Sequence, residues 1–441
     1  MIKNTRFFLL LFTLFHSFAW AQEFQKEQIN SYINTLDNHD KFMGVIELRN
    51  KDSVIFTKSI GYSNWQMQAK NEANTKFRIG SISKSFTAVL VLQSIEENKL
   101  SLETPLSDFY PEIENAASIS ISDLLYHRSG IANFTALPDY LNWHTVPKTE
   151  EELINIIKNA GNEFAAGEQF SYSNSNYVLL SFILEKVNNK PYAILLKDKI
   201  CNPLSLEHTY LGGTIGSWPN EAYSYTYLDK KWQLEEETNL TIPIGAGGIV
   251  SNASDLSKFI YALFNEELIT KESIAKMIAL KDGVGMGIFP IPYGNKISWG
   301  HTGGIDGFQS IFTYFDQEDL SLVILSNGSN YSLNNIAINV LAAYFGDEVQ
   351  IPEFSDYQVK SEELKKYIGT YSNELLPIKI TISQKGNQLI GQASGQGSFN
   401  LEPFAKNVFI NDFAGIKIHF NPEKASFILY QNGMEFIFTK E

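Results

Sequence analysis

Apolar positions along the first 330 residues follow two alternating spacings. In some segments they recur every three or four positions, as in amphipathic helices, and in others every second residue is apolar, as in half-buried strands. The helical spacing is found at residues 25–36 and 178–187 and in the segment after Gly80. The strand spacing is found at residues 44–49, 53–56, 310–315 and 320–325. This interleaving predicts an α+β fold, in which helices and a helical subdomain flank an antiparallel sheet.

The pattern changes after a polar connecting segment that contains Pro352. Short alternating segments then follow one another closely, and Asn432-Gly433 is typical of a tight hairpin turn. We therefore predict a first domain over residues 22–350, a linker over 351–360 and a small antiparallel β-barrel over 361–441. The role of the barrel is left open.

The N-terminus predicts export. Lys3 and Arg6 precede an apolar run, and Ala19-Trp20-Ala21 matches a cleavage site, so residues 1–21 are interpreted as a signal peptide. We expect a periplasmic or secreted protein, and no later apolar run is long enough to span a bilayer. Cys201 is the only cysteine, which excludes an internal disulfide.

Composition and missing motifs exclude several classes of function. The formal charge of -14 opposes binding to nucleic acid. The seven histidines have no metal-ligand spacing, and the glycine-rich segment at 245–248 lacks a phosphate-binding pattern. We expect no metal, no cofactor, and a small-molecule or peptide substrate; the oligomeric state is open. The absence of Gly-x-Ser-x-Gly argues against an α/β-hydrolase.

The first candidate for chemistry is Ser81-Ile82-Ser83-Lys84. A helix that starts here places Ser81 and Lys84 one turn apart, with their Cβ atoms about 5 to 6 Å from each other. A buried lysine can serve as the base for a serine nucleophile, and the free N–H of Ser81 can face an oxyanion. The same letters recur at Ser273-Ile274-Ala275-Lys276, but that charged amphipathic stretch is typical of a solvent-exposed helix face.

Two further motifs follow along the chain. Tyr172-Ser173-Asn174 comes just before an apolar helix. Tyr-x-Asn is a weak signal by itself, because Tyr62-Ser63-Asn64 and Tyr371-Ser372-Asn373 carry the same letters. His301-Thr302-Gly303-Gly304 lies on a predicted strand whose edge could hold a substrate backbone.

In this order the three motifs resemble those of the penicillin-binding and β-lactamase-like serine hydrolases, which include class C β-lactamases, D,D-peptidases and esterases. The resemblance covers residues 42–330, and the predicted barrel is similar to the lipocalin-like domains fused behind such enzymes. It implies cleavage of an amide, peptide or ester bond through a covalent acyl-serine. It also implies roles for individual residues: Ser81 as nucleophile, Lys84 and Tyr172 as a coupled base, Asn174 as a ligand of the substrate acyl amide, and the N–H groups of Ser81 and Gly304 as the oxyanion hole.

One position departs from the β-lactamases, which carry lysine where this chain has His301. A histidine there resembles the peptidases, amidases and some esterases of the family, so we expect that type of activity. A class C-like β-lactamase and a penicillin or peptidoglycan sensor without turnover are the alternatives. Since histidine ordinarily titrates near pH 6.5, His301 predicts an apparent pKa between about 6 and 7.5 in the activity profile. His127 is interpreted as a packed structural histidine.

Overall fold

The computed structural model describes residues 24–228, 231–355, 357–373, 378–431 and 434–441. The predicted signal peptide and the predicted turn at Asn432-Gly433 lie outside these ranges. Every helix within them is too short or too polar to span a lipid bilayer.

The described part of the N-terminal domain contains a six-stranded antiparallel sheet, a three-stranded sheet and two strand pairs. Its strands are β1 Phe42–Asn50, β2 Ser53–Ile60, β3 Tyr62–Asn64, β4 Ala69–Lys70, β5 Phe77–Arg78, β6 Tyr210–Leu211, β7 Tyr225–Leu228, β8 Lys231–Leu234, β9 Ile249–Ser251, β10 Phe289–Tyr293, β11 Lys296–Ile305, β12 Phe308–Phe315 and β13 Leu320–Ser329. The large sheet has the order β10-β11-β12-β13-β1-β2. Asn50 of β1 pairs with Ser53 of β2, so the two segments with strand spacing at residues 44–49 and 53–56 form an antiparallel hairpin.

Helices cover both faces of this sheet. They are α1 Lys26–Asn38, α2 Ser83–Glu96, α3 Ile121–Leu125, α4 Glu150–Ala160, α5 Asn174–Asn188, α6 Tyr192–Leu196, α7 Ile244–Gly247, α8 Ala253–Phe264, α9 Lys271–Ile278 and α10 Leu333–Phe345. Neighbouring residues of β1 point to opposite faces: Ile46 packs in the core with α1 and α10, and Val45 packs in the core with α2, α5 and α8. On this second face α5 also contacts α3, α4 and α6, which together form the helical subdomain.

Helix α2 is buried on all sides. Every residue from Ser83 to Leu92 is buried, and the ring of Phe86 stacks on Phe259 of α8 at a centroid distance of 3.7 Å. A helix enclosed in this way has no polar face. The consequence for chemistry is that the side chain of Lys84 lies in the protein interior.

The C-terminal domain is a closed barrel of eight antiparallel strands, as the sequence predicted. A short helix, α11 Ser361–Leu364, precedes strands β14 Gly369–Ser372, β15 Lys379–Lys385, β16 Gln388–Ala393, β17 Ser398–Ala405, β18 Val408–Asn411, β19 Ile416–Asn421, β20 Ser426–Gln431 and β21 Met434–Lys440. Each strand pairs with the next, and β14 closes the barrel onto β21. Large side chains such as Tyr371, Phe409 and Phe427 fill its interior.

Polar contacts join the two domains. The ammonium of Lys41 donates to the carboxylate of Asp412 at 2.7 Å, and the N–H of Ser332 donates to the Asp412 carbonyl. The described residues between α10 and α11 contain neither helix nor strand. The domain boundaries at 350 and 360 remain predictions.

Candidate active site

Ser81 lies on a tight turn that packs against the central sheet. The turn is a 3-10 helix over Gly80–Ile82, and α2 begins only at Ser83, two residues later than expected. Gly80 has φ of +52°, a conformation that favours glycine, and a Cβ there would lie 2.7 Å from the backbone nitrogen of Gly304. Glycine therefore allows the Ser81 turn to contact β11 directly.

Lys84 is fully buried beside Ser81. Its Nζ lies 3.0 Å from Ser81 Oγ, 2.8 Å from Asn174 Oδ1 and 2.6 Å from the carbonyl oxygen of Ala246. None of these partners is a carboxylate, and Lys84 forms no ion pair with any described residue. Burial without a counter-charge holds the pKa of this amine well below its ordinary value.

Tyr172 lies next to both residues. The Nζ of Lys84 is 5.0 Å from the centroid of the phenol ring. Desolvation raises the pKa of Tyr172 above its ordinary value, and the hydrogen bond with Ser81 lowers it by less. The phenol is therefore protonated at neutral pH, while the neighbouring amine is biased towards its neutral form.

Asn174 is the first residue of α5, so this helix begins earlier than the predicted residue 178. The side chain of Ser173 does not cap it; instead, the N–H of Asn174 donates to Asn133 Oδ1 at 3.0 Å. The Asn174 Nδ2 group donates to Thr135 Oγ1 at 2.9 Å, which leaves Oδ1 to accept from Lys84. The side-chain amide is thus held in one orientation against the lysine.

His301 is a buried residue of β11. Its Nδ1 is paired with the carbonyl oxygen of Thr302, its ring packs on Phe289 at a centroid distance of 4.6 Å, and its Nε2 has no hydrogen-bond partner. Burial, followed by the proximity of the Lys84 amine, lowers the pKa of His301 to about 3. The expectation of a titration between pH 6 and 7.5 is therefore wrong, because it took the histidine to be solvated.

The remaining residues of this motif lie along the β11 backbone. Strand β10 pairs with β11 only as far as Gly300, so residues 301–304 have no strand partner on that side. There they contact the nucleophile turn, since a Cβ on Gly303 would lie 2.0 Å from the carbonyl oxygen of Ile79. The side chain of Thr302 is exposed, whereas Gly304 borders the same cavity as Ser81.

His127 is a packed and hydrogen-bonded residue, as its sequence context suggested, and it contacts Tyr172. Helix α3 ends at Leu125, and His127 follows with a left-handed φ of +55°. This turn brings its ring to 4.3 Å from that of Tyr172, measured between centroids. Burial, followed by the proximity of the basic groups of Lys84 and His301, lowers the pKa of His127 well below its ordinary value.

The two buried imidazoles have complementary unpaired nitrogens. Nδ1 of His127 accepts from the N–H of Ser173 at 3.2 Å, so its proton is on Nε2. Nδ1 of His301 faces a carbonyl oxygen and must donate, so its Nε2 is an acceptor. Neither Nε2 has a hydrogen-bond partner among the residues that the structure describes. One imidazole thus has an unpaired donor and the other an unpaired acceptor, and both rings are close enough to Lys84 to interact with it electrostatically.

A cavity of about 790 Å³ opens above Ser81. Besides Ser81, Asn174 and Gly304, it is lined by two walls, which consist of residues 135–144 and 235–238. Its titratable lining residues are Glu235, Glu236, Asp306, Tyr140 and His144, and no lysine or arginine is among the described lining residues. These walls could not be predicted from the sequence, because the loops that form them carry no motif.

Asp306 differs from the two glutamates because its charge is already paired. Its Oδ2 accepts from Arg78 at 3.0 Å, and its Oδ1 accepts from the N–H and hydroxyl of Thr238. Arg78 also binds Glu237 at 2.8 Å. This buried network fixes one wall of the cavity against the strand that carries Gly304.

The fold and site together define a class of protein. A family model described as Beta-lactamase matches residues 34–344, so the chain belongs to the β-lactamase family. It is a serine hydrolase of that family. Within the described residues, no group of histidine, cysteine and acidic side chains is arranged to hold a metal ion.

Individual relatives are distant. The chain is 25% identical to a penicillin-binding protein of Bacillus subtilis (strain 168), over 93% of this chain and 98% of that one. It is 26% identical to the teichoic acid D-alanine hydrolase of Staphylococcus aureus (strain NCTC 8325 / PS 47), over 65% and 70%. Among solved structures, an octameric penicillin-binding protein homologue from Pyrococcus abyssi superposes with a TM-score of 0.66 at 23% identity, over 93% and 99%. That last similarity extends through the barrel and concerns the fold alone.

Proposed function

We propose that this protein is an exported hydrolase that cleaves the amide or ester bond of a D-aminoacyl compound through an acyl ester on Ser81. The observation that carries the proposal is the contact of Ser81 Oγ with Lys84 Nζ at 3.0 Å, in a place where the lysine is buried and meets no carboxylate. Such a lysine is a base at neutral pH, and a serine needs an adjacent base to act as a nucleophile.

A neutral Lys84 accounts for all three of its hydrogen bonds. A neutral amine has two N–H groups and one lone pair. The amide oxygen of Asn174 and the carbonyl oxygen of Ala246 can only accept, so they take the two N–H groups. The lone pair then faces the hydroxyl of Ser81, which donates its proton to the amine.

Acylation follows from this arrangement. Oγ of Ser81 forms a bond to the substrate carbonyl carbon while Nζ of Lys84 takes the hydroxyl proton. The N–H groups of Ser81 and Gly304 stabilise the oxyanion, and each such donor contributes roughly 3 kcal/mol. The leaving amine or alcohol then departs with the proton from Lys84, directly or through the hydroxyl of Tyr172, which hydrogen-bonds to Ser81. A water molecule releases the acyl group by the reverse sequence.

His301 supports this class of substrate over β-lactams. With a pKa of about 3, its imidazole has no charge at neutral pH and cannot pair with a substrate carboxylate. The name of the staphylococcal relative, a D-alanine hydrolase, supports a D-aminoacyl group. Its sequence similarity covers 65% of this chain.

The test is steady-state hydrolysis of D-alanine p-nitroanilide and D-alanine p-nitrophenyl ester, with their L-enantiomers, nitrocefin and the Ser81→Ala variant as comparisons. We expect many turnovers of at least one D-substrate and none above background in Ser81→Ala. A burst of one equivalent without turnover would support the sensor instead. Faster turnover of nitrocefin than of every D-alanyl compound would support a β-lactamase.

Export has its own test. Residues 1–21 lie outside the described part of the chain, so this half of the proposal stands on the sequence pattern. We expect the protein recovered from an exporting host to begin at Gln22. An uncleaved chain that stays inside the cell would contradict it.

A further inference from the structure

Tyr172 lies in a segment without regular secondary structure. Residues 165–173 form neither helix nor strand, and α5 begins only at Asn174. Such a segment lacks the repeating backbone hydrogen bonds that hold a helix or a strand in place. The hydroxyl of Tyr172 nevertheless forms a hydrogen bond with Ser81. The orientation of the phenol towards the nucleophile therefore depends on contacts from another part of the chain.

His127 supplies contacts on both sides of Tyr172. The N–H of Ser171 donates to the carbonyl oxygen of His127 at 3.0 Å. The N–H of Ser173 donates to Nδ1 of the same residue at 3.2 Å. Between these two hydrogen bonds, the ring of Tyr172 packs on the imidazole at a centroid distance of 4.3 Å. One residue thus holds the backbone before and after the tyrosine as well as the aromatic ring itself.

The surroundings of His127 make it a fixed point of attachment. Its imidazole is buried and lies 5.1 Å from the ring of Tyr177 in α5, measured between centroids. The hydroxyl of Tyr177 donates to the carbonyl oxygen of Leu125 at 2.9 Å, which ties this ring to the end of α3. The depressed pKa of His127 keeps the imidazole neutral, so Nδ1 retains the lone pair that accepts from Ser173.

We infer that His127 is a positioning residue that holds the Tyr172 hydroxyl where it can pass a proton to the leaving group. The inference rests on the proposed function and selects one of its two routes for that proton. As the bond between the acyl carbon and the leaving nitrogen breaks, the Tyr172 hydroxyl gives its proton to the nitrogen and takes one from the Lys84 ammonium. An amide needs this proton, whereas p-nitrophenolate leaves an ester without one.

The experiment measures the ratio of kcat/KM for D-alanine p-nitroanilide to that for D-alanine p-nitrophenyl ester on the full-length enzyme. His127→Leu removes the acceptor and should lower this ratio by at least about tenfold, since a positioned proton donor contributes about a hundredfold or more. His127→Asn should restore it to within about threefold, because its amide oxygen can replace Nδ1 and asparagine tolerates the left-handed φ of +55°. Loss of stability alone would lower both rates together and leave the ratio unchanged.

Two further variants keep the test independent of folding defects. His127→Gln also lacks an acceptor at the position of Nδ1, and it should lower the ratio as His127→Leu does, including in the case that the leucine variant does not fold. The matched control is His419→Leu, at an exposed position of barrel strand β19, which should keep the wild-type ratio.

A double-mutant cycle with Tyr172→Phe tests whether His127 acts through the tyrosine. Tyr172→Phe keeps the ring and removes the hydroxyl, so it should lower the ratio by itself. The addition of His127→Leu should then change the ratio by less than about twofold, because the group that it positions is already absent. An unchanged ratio in folded His127→Gln or in Tyr172→Phe, or an equal fall in both backgrounds, would overturn the inference while the proposed function stands. Failure of wild type to hydrolyse either D-alanyl compound would overturn the proposed function, and the inference with it.

Discussion

Two segments of this chain carry the letters Ser-x-x-Lys at the start or within a helix, in very different surroundings. Ser81 and Lys84 contact each other in the interior, at a distance of 3.0 Å. In α9, Ser273 donates to Glu96 at 2.5 Å, while the ammonium of Lys276 pairs with Glu272 at 2.9 Å and its side chain is 46% exposed. A neighbouring carboxylate favours the charged form of a lysine, and it can also accept the proton of a serine hydroxyl. Burial without a carboxylate favours the neutral form of a lysine. The Ser-x-x-Lys spacing therefore only indicates a candidate site, and the burial of the lysine determines whether the serine can act as a nucleophile.

The largest expected difference between the two segments is in the serines. Ser81→Ala should lower kcat/KM by at least about ten-thousandfold, because loss of a nucleophile leaves only binding and oxyanion stabilisation. Ser273→Ala should keep wild-type activity, since its hydroxyl bonds only at the helix start and to Glu96. Peptide mapping after treatment with a fluorophosphonate checks both. Labelling of Ser81→Ala at the wild-type rate would refute the assignment.

Substitutions of the two lysines should differ in their effect on catalytic activity and on the pH dependence of stability. Lys84→Met should lower kcat by about a hundred- to ten-thousandfold, the usual contribution of a general base. Since the folded-state pKa of Lys84 is depressed, the unfolded chain binds one more proton between that pKa and about 10.5, and stability rises with pH across this window. The free energy of unfolding of wild type should rise with pH more steeply than that of Lys84→Met, by an amount that approaches about 1.4 kcal/mol per pH unit.

Denaturant unfolding at pH 7 to 10 measures that slope. Lys276→Met is the matched control, because it removes an exposed pair at i and i+4, which contributes about 0.3 to 0.5 kcal/mol. Parallel stability curves for wild type and Lys84→Met would mean that Lys84 is charged in the folded protein.

Some features of the fold and the site could be predicted from the sequence, and others depend on contacts between distant segments. Alternation of apolar and polar residues over short stretches was enough to predict the strands of β1, β2 and the barrel. A glycine turn before an apolar helix was enough to indicate that Lys84 is buried. The contact of His127 with Tyr172 could not be foreseen, because it depends on a left-handed residue that reverses the chain after α3. The start of α5 was missed for a similar reason: its cap comes from Asn133, about forty residues away. The burial that holds His301 neutral is likewise a property of packing between distant segments.

A smaller effect is expected at the position that separates this chain from the β-lactamases. His301→Lys introduces a charge that can pair with a substrate carboxylate, and one charge-assisted hydrogen bond contributes about 1.5 to 3 kcal/mol. We expect the ratio of kcat/KM for nitrocefin to that for a p-nitrophenyl ester to rise roughly tenfold. An unchanged ratio in the folded variant would show that His301 does not govern this choice.

The most direct test of the central claim is the pH dependence of wild-type inactivation by an uncharged fluorophosphonate, because only groups of the enzyme then titrate. With Lys84 as a buried neutral base, the second-order rate should reach a plateau well below pH 10. A rate that continues to rise about tenfold per pH unit up to pH 10 or beyond would contradict the account, since it would identify the base as an ordinary lysine or as the phenolate of Tyr172.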